Sequence, residues 1–268
     1  MSSDQPAARY ERKYLLQTQN EAYLTQLVML HQAGFKEIYY PRIINNIYFD
    51  NQNFSCFKSN QAGDSQRFKV RLRWYTDKYL NYGVEFANEA ITPHLEIKLK
   101  QADLVTKYIF KHQEQLKPLL KTLPNFLRKQ IKFTQDHELS NDVSLTEIKN
   151  KQAWKSLVSK AGYLQPVLFN AYQRRYFITS DQKIRLTIDS RVRFHQISSL
   201  ELKTNQGWSL PVTIIEMKTS LANGELLSKI AEKFPFQLTR SSKYSMGINC
   251  CYLPEDHYQL DITPQPIF

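Results

Sequence analysis

The stretch Arg67-Phe68-Lys69-Val70-Arg71-Leu72-Arg73-Trp74 alternates a cation with a large apolar side chain, without a break. In a β-strand, residues two apart share a face. Arg67, Lys69, Arg71 and Arg73 therefore share one side, and Phe68, Val70, Leu72 and Trp74 the other. The same pattern returns along the chain. Glu96, Lys98 and Lys100 oppose Leu95, Ile97 and Leu99, and Arg185, Thr187 and Asp189 oppose Ile184, Leu186 and Ile188. Glu216 and Lys218 alternate in IIEMK, and Arg9, Glu11 and Lys13 alternate in RYERKY.

For a single strand, such a charged face commonly means solvent. The set as a whole fits that less well, because solvated faces mix Ser, Thr, Gln and both charge signs. Here Arg and Lys recur with only an occasional acid. If the apolar faces pack against surrounding helices, the charged faces line an interior. The expected fold is therefore α+β: a closed antiparallel β-barrel with a polar, basic lumen and helices packed outside. Closure also removes exposed strand edges. The chain has 268 residues, 42% of them hydrophobic, enough for a sizeable core. No linker is legible, so one domain over 1–268 is expected.

Other elements follow from local signals. Asn20 to Gly34 has helical spacing with Gly34 as a C-cap, and Gly224 to Phe234 reads as a helix with Asn223 as its N-cap. Strands are expected at 9–16, 43–50, 67–75, 94–100, 168–178, 183–193 and 212–219, with a polar turn at 59–65 and a surface tail from Leu253. The middle reads as helices at 111–133 and 150–161 around a loop at 136–145.

Lys and Arg number 36 against 25 Asp and Glu, a formal charge of +11. That excess favours anionic partners: nucleic acid, phosphate polymers or an acidic membrane surface. A cation-lined lumen needs counter-charge, and the planar guanidinium fork of Arg suits phosphate. Glu11, Glu96, Asp189 and Glu216 are too few to neutralise it. They are suited to hold a hard cation such as Mg²⁺ or Mn²⁺ that shares oxygen ligands with phosphate. The three cysteines form no CxxC pair, so neither a disulfide framework nor a zinc site is expected. The sequence carries no phosphate-binding Gly-rich loop of the GxxxxGK[ST] type, no GxSxG and no HExxH. His31 reads as packing on an apolar helix face. With no apolar signal core and no bilayer-spanning run, a soluble, cytoplasmic protein without a membrane segment is expected.

In order along the chain, RYERKY, RFKVRLRWY, LEIKLK, YQRRYF, IRLTIDS, IIEMK and SSKYSMGI resemble the triphosphate tunnel metalloenzymes. Within that group they are most similar to the polyphosphate polymerase domain of the vacuolar transporter chaperone family. The resemblance spans about Arg9 to Ile248. It implies an ATP-polyphosphate phosphotransferase using Mn²⁺ or Mg²⁺, with Arg71, Arg73, Lys98, Arg174 and Arg185 at the reacting phosphates. Lys13, Lys100, Lys218 and Lys243 would bind further phosphate, and Glu216 would hold the metal. Lys107 is a further candidate, whereas Arg175 faces away from Arg174. The implied partners are ATP and polyphosphate, with inositol phosphates as a further ligand class. Hydrolytic members begin with Glu-x-Glu-x-Lys; here Arg9 replaces the first Glu, which favours the polymerase branch. The competing readings are a tripolyphosphatase or nucleoside triphosphatase on the same site, a non-catalytic polyphosphate or inositol-phosphate binder, and a nucleic-acid binder using the basic stretch 117–132. That stretch lacks a recognition motif, so nucleic acid is not expected.

Overall fold

The computed structural model describes residues 9–17, 20–77, 91–101, 104–111, 163–197, 204–239, 242–253 and 265–267, with Leu116 and Ser159. The helices and loop expected between 112 and 161 lie almost entirely outside these residues, as does the basic stretch 117–132.

Among the described residues, ten strands form one antiparallel sheet. They are β1 (Arg9–Leu16), β2 (Lys36–Asp50), β3 (Gln66–Thr76), β4 (His94–Gln101), β5 (Leu104–Lys111), β6 (Gln165–Ile178), β7 (Arg185–Ile197), β8 (Thr204–Leu210), β9 (Thr213–Ser220) and β10 (Gln265–Ile267). The main path runs β1-β9-β7-β6-β2-β3-β4-β5, with β8 pairing β7 and β10 pairing β8. The expectation of a closed barrel is corrected here: β1 and β5 end this path and form no ladder with each other among the described residues. Instead, the outer edge of β1 is bonded by a later segment. Thr239 N donates to Lys13 O at 2.9 Å, and Tyr14 bridges Leu238. Alternation requires only that the charged face be concave; it does not require the two edges to hydrogen-bond. The sheet is open and curled. The curl still brings its ends near each other, since Lys98 of β4 lies within the electrostatic reach of Glu11 and Lys13 of β1.

The apolar faces pack as the pattern requires. Tyr14, Phe177, Leu186, Ile188, Ile215 and Met217 are buried together with Leu24 and Val28 of helix α1 (Glu21–Met29). Leu227 and Ile230 of helix α3 (Gly224–Ala231) join the same cluster. A second, larger cluster takes in residues of both faces: Val70, Leu72, Trp74, Leu95 and Ile97, and also Leu168 and Phe194, with Cys56 and Phe57 of helix α2 (Ser55–Gln61) and Tyr244, Met246 and Ile248 of helix α4 (Lys243–Tyr252). At about 25 cal/mol per Å² of apolar area, each large side chain so buried contributes about 1.5–3 kcal/mol.

Several local expectations are revised. Helix α1 stops at Met29, short of Gly34, which instead ends a following turn at φ +63°. Its N-cap Asn20 accepts from Tyr23 N. The polar turn at 59–65 is in part the end of α2. Asn223 precedes α3 but makes no side-chain cap bond; its amide donates to Ser220 Oγ. Strands β8 and β10 were not expected. Both lack sustained alternation, and β10 comes from the tail expected at the surface.

Candidate functional site

Register places the charged residues side by side. Arg71 lies opposite Glu96 and Lys69 opposite Lys98 across β3 and β4; Lys98 in turn faces Lys107 of β5. Arg174 of β6 faces Asp189 of β7, Thr187 faces Glu216 of β9, and Lys13 of β1 faces Glu216 from the other side. Directly paired residues share a face, so all of these line the concave side of the sheet.

Two buried carboxylates organise the cations. Glu96 is 5% exposed and accepts from Arg71 Nε at 2.8 Å and Lys107 Nζ at 2.8 Å, with Arg73 Nη1 at 3.7 Å. Burial opposes its ionisation, but Arg71, Arg73 and Lys107 outweigh that and hold it far below the usual carboxylate range. Arg71 Nη1 also donates to Tyr48 Oη at 3.2 Å, and Arg73 Nε donates to Asn46 Oδ1 at 2.8 Å. Asp189, fully buried, accepts from Arg174 Nε at 2.5 Å, Arg174 Nη2 at 2.7 Å and Lys243 Nζ at 2.5 Å. Burial again opposes its charge, and Arg174 with Lys243 lowers its pKa. The ring of Tyr172 lies under both cations, 5.2 Å from the Arg174 guanidinium and 4.5 Å from Lys243 Nζ, and its hydroxyl accepts from Arg73 Nη2 at 3.3 Å. Glu96 and Asp189 are thus tied to protein cations.

Glu216 differs. Its side chain is 8% exposed and ion-paired to Lys218. Burial works against its ionisation, yet Lys218, Lys13, Arg174 and Lys243 together hold its carboxyl well below the usual range. Glu11 lies beside it, 2.5 Å from Lys13 Nζ and 3.8 Å from Lys218 Nζ. Among the described residues no group of three His, Cys, Asp or Glu side chains forms a complete metal cage. Two neighbouring carboxylates fit a divalent ion whose remaining ligands are phosphate oxygens and water, the usual arrangement for Mg²⁺.

The far side of the groove holds cations in excess. Lys69 Nζ donates to Ser242 Oγ at 2.8 Å, and burial, reinforced by Lys98, Lys13, Arg67 and Arg71, lowers its pKa to about 7. Lys98 is lowered to about 8, by burial and by Lys13 and Lys218, against the opposing pull of Glu11 and Glu216. Helix α4 begins here, and the side chain of its N-cap Ser242 makes no cap bond. Phe194 lies opposite Asn170 on the concave face, and Gly247 packs against Phe194 and Leu168, so α4 covers that end of the sheet.

Of the residues singled out from sequence, Arg71, Arg73, Lys98, Arg174, Lys13, Lys218, Lys243 and Glu216 lie on this one surface. Lys100 is half-buried further along, opposite Arg67. Arg185 is on the expected face but exposed at its rim, opposite Lys218. Arg175 faces outward, as expected, and pairs with Glu37 at 2.7 Å. Lys69 was legible from alternation alone. Arg42 was not: it faces Arg174 across a bulge that no period-2 reading of β2 anticipates. His31 stacks on Phe234 at 4.5 Å and is packing.

Distant likenesses exist among solved structures. A candidate adenylate cyclase from Vibrio parahaemolyticus is 10% identical, covering 90% of this chain and 99% of that one, with a TM-score of 0.46. A candidate adenylate cyclase from Bacillus halodurans is 16% identical over 88% and 95% of the two chains, with a TM-score of 0.44. A Hippeastrum protein, described as a candidate adenylyl cyclase with dominant triphosphatase activity, is 14% identical over 92% and 98%, with a TM-score of 0.45. No curated protein sequence matches the chain. The family described as the VTC domain matches residues 8–252, nearly the whole length, and the chain belongs to that family.

Proposed function

We propose that this protein is a metal-dependent polyphosphate polymerase, which transfers the γ-phosphoryl group of ATP to the end of a polyphosphate chain held along the concave basic face. The observation that carries the proposal is the arrangement of cations. Arg71, Arg73, Arg174 and Lys243 are preoriented by buried carboxylates, while Lys69 and Lys98 crowd together with too little counter-charge. Such a surface is complementary to a linear polyanion. Membership of the VTC domain family and the presence of Arg9 in place of an acidic residue favour polymerisation.

Phosphoryl transfer needs positioning and charge neutralisation more than covalent help from the protein. The terminal oxygen of the acceptor chain attacks the γ-phosphorus. The bond from that phosphorus to the β–γ bridging oxygen breaks, and ADP leaves with the electron pair. The acceptor oxygen is already ionised near neutral pH, so no strong base is required. Arg71 and Arg73 hold equatorial oxygens on one side, and Arg174 and Lys243 on the other. Glu216, with Glu11 beside it, would hold a divalent ion, which would supply charge neutralisation to the phosphates. The implied metal is Mn²⁺ or Mg²⁺.

Incubation with ATP and Mn²⁺, with ADP, free phosphate and polymer quantified, tests the proposal. ADP matched by polymer-bound phosphate is expected. ADP matched by free phosphate would instead identify a triphosphatase. In Glu216→Gln, turnover falls by about 10²-fold or more, whereas tripolyphosphate affinity in EDTA is unchanged or tighter, because an anionic group has left an anion site. Full turnover in this variant would remove Glu216 from the metal site.

A further inference from the structure

At one end of the groove the strands present tyrosines in place of cations. Arg42 of β2 lies among three rings, its guanidinium carbon 5.3 Å from the centre of Tyr39, 5.7 Å from Tyr75 and 5.4 Å from Tyr176. The rings of Tyr39 and Tyr176 meet edge to face at 5.6 Å. Tyr39 and Arg42 are three residues apart, so a regular strand would send them to opposite faces. They meet because β2 is bulged there, with register shifts between Glu37 and Tyr39 and between Tyr39 and Arg42. Pro41 lies within this interval, consistent with the confinement of proline to bulges and edges. Bulges commonly re-aim side chains beside functional sites.

The cluster is neither core nor ordinary surface. Tyr39 is 55% exposed and Tyr75 43% exposed, although both lie beside a guanidinium that organises them. Among the described residues no carboxylate forms an ion pair with Arg42. What the cluster offers is a set of half-open aromatic faces and one planar cation, a stacking platform rather than a second carboxylate–arginine pair.

Its position supplies the ligand class. Arg174, which is bound to Asp189 in the groove, stands 6.0 Å from the Tyr176 ring and faces Arg42 across β2 and β6. Tyr75 is two residues beyond Arg73 on β3, and Tyr176 two residues beyond Arg174 on β6. A two-residue step along a strand is about 7 Å. That is the scale of a ribose between a nucleotide's phosphates and its base. Resting on the reading of the groove as a triphosphate site, we propose that Tyr39, Arg42, Tyr75 and Tyr176 form the nucleobase subsite: the base stacks on Tyr39 and Tyr75 while the phosphates run inward from Arg174 and Arg73. Stacking tolerates any base, so the subsite distinguishes nucleotides from inorganic polyphosphate more than one base from another.

The test compares ATP with tripolyphosphate, both in EDTA, by calorimetry on the full chain. The double variant Tyr39→Ala/Tyr75→Ala is expected to lose about tenfold in ATP affinity, the scale of one lost base–aromatic stack. Tripolyphosphate affinity is expected to stay within twofold, which also shows that the variant is folded. Tyr39→Phe/Tyr75→Phe keeps the rings and is expected to keep ATP affinity. Unchanged ATP affinity in the alanine variant, or an equal loss for both ligands, overturns the nucleobase subsite and leaves the phosphate site standing. Wild-type protein that binds neither ligand overturns the phosphate reading and this inference with it.

Discussion

Lys69 shows how much a single side chain is constrained by the groove. Its ordinary pKa of 10.5 falls to about 7 because burial strips water from the ammonium and Lys98, Lys13, Arg67 and Arg71 repel it. A lysine whose folded pKa lies below its unfolded one binds fewer protons in the folded state between those values. Stability therefore rises with pH through that window, here from about 7 to 10.5, and Lys69 destabilises the fold most when fully charged, below it. An anion in the groove reverses the balance, since a nearby negative charge favours the ammonium. Binding of tripolyphosphate at pH 8 is therefore expected to take up a proton. The uptake is measured by calorimetry in two buffers of different ionisation enthalpy. Lys69→Met is expected to remove most of the uptake and to flatten the rise of stability above pH 7. Equal uptake in the variant would assign the proton to another group, with Lys98, lowered to about 8, the next in line.

Among the elements, α2 and α4 are joined through one carboxylate. Asp50, at the end of β2, is fully buried and accepts from the backbone N–H groups of Asn51 at 2.8 Å, Cys56 at 3.0 Å and Phe57 at 3.0 Å. The last two belong to the first turn of α2, so Asp50 does the work of an N-cap from outside the helix, where Phe54 occupies the cap position at φ +51° and has no side-chain acceptor. Tyr244 of α4 donates its hydroxyl hydrogen to Asp50 Oδ2, the same atom that receives Phe57 N–H. Asp50 therefore fixes the start of α4, and with it Lys243 at Asp189. Asp50→Ala leaves these buried donors without an acceptor and is expected to destabilise the protein by about 3 kcal/mol. Tyr244→Phe loses one bond and is expected to cost about 1.5 kcal/mol. Urea denaturation measures both. A loss below 1 kcal/mol for Asp50→Ala, on the order of a single exposed cap, would show that the link between the helices is not structural.

For the molecule as a whole, the curled sheet gathers cations from β1, β3, β4, β6 and α4 at one surface and leaves them only partly neutralised. A polyanion that binds only the folded state stabilises it by mass action, by about 2.7 kcal/mol at one hundred times Kd. Tripolyphosphate is therefore expected to raise Tm by several degrees. The affinity should fall steeply between low and high salt, as it does for other contacts to phosphate chains. Thermal melts across a salt series check this; a shift independent of salt would point to a ligand held by something other than the cation surface.

The sequence by itself determined the two-faced strands, because side-chain direction in a strand depends only on the parity of position. That is why Arg71 and Arg73 share a face of one strand, and Glu216 and Lys218 a face of another, before any pairing is known. It also determined that the opposite face is buried, since Leu72, Ile97, Leu186 and Met217 are apolar and none is exposed. Tertiary structure alone decided how far the sheet curls and where it stops, because the edge of β1 is taken by Leu238 and Thr239, more than two hundred residues away, rather than by β5. It likewise decided which cations each carboxylate meets. Glu96 and Asp189 read no differently from Glu216 in the sequence, but register sets each of the first two opposite an arginine and sets Glu216 between Lys13 and Thr187. The bulge that turns Arg42 toward Arg174 was illegible for the same reason: one extra residue against a partner strand inverts parity, and only the paired strand reveals that it is extra.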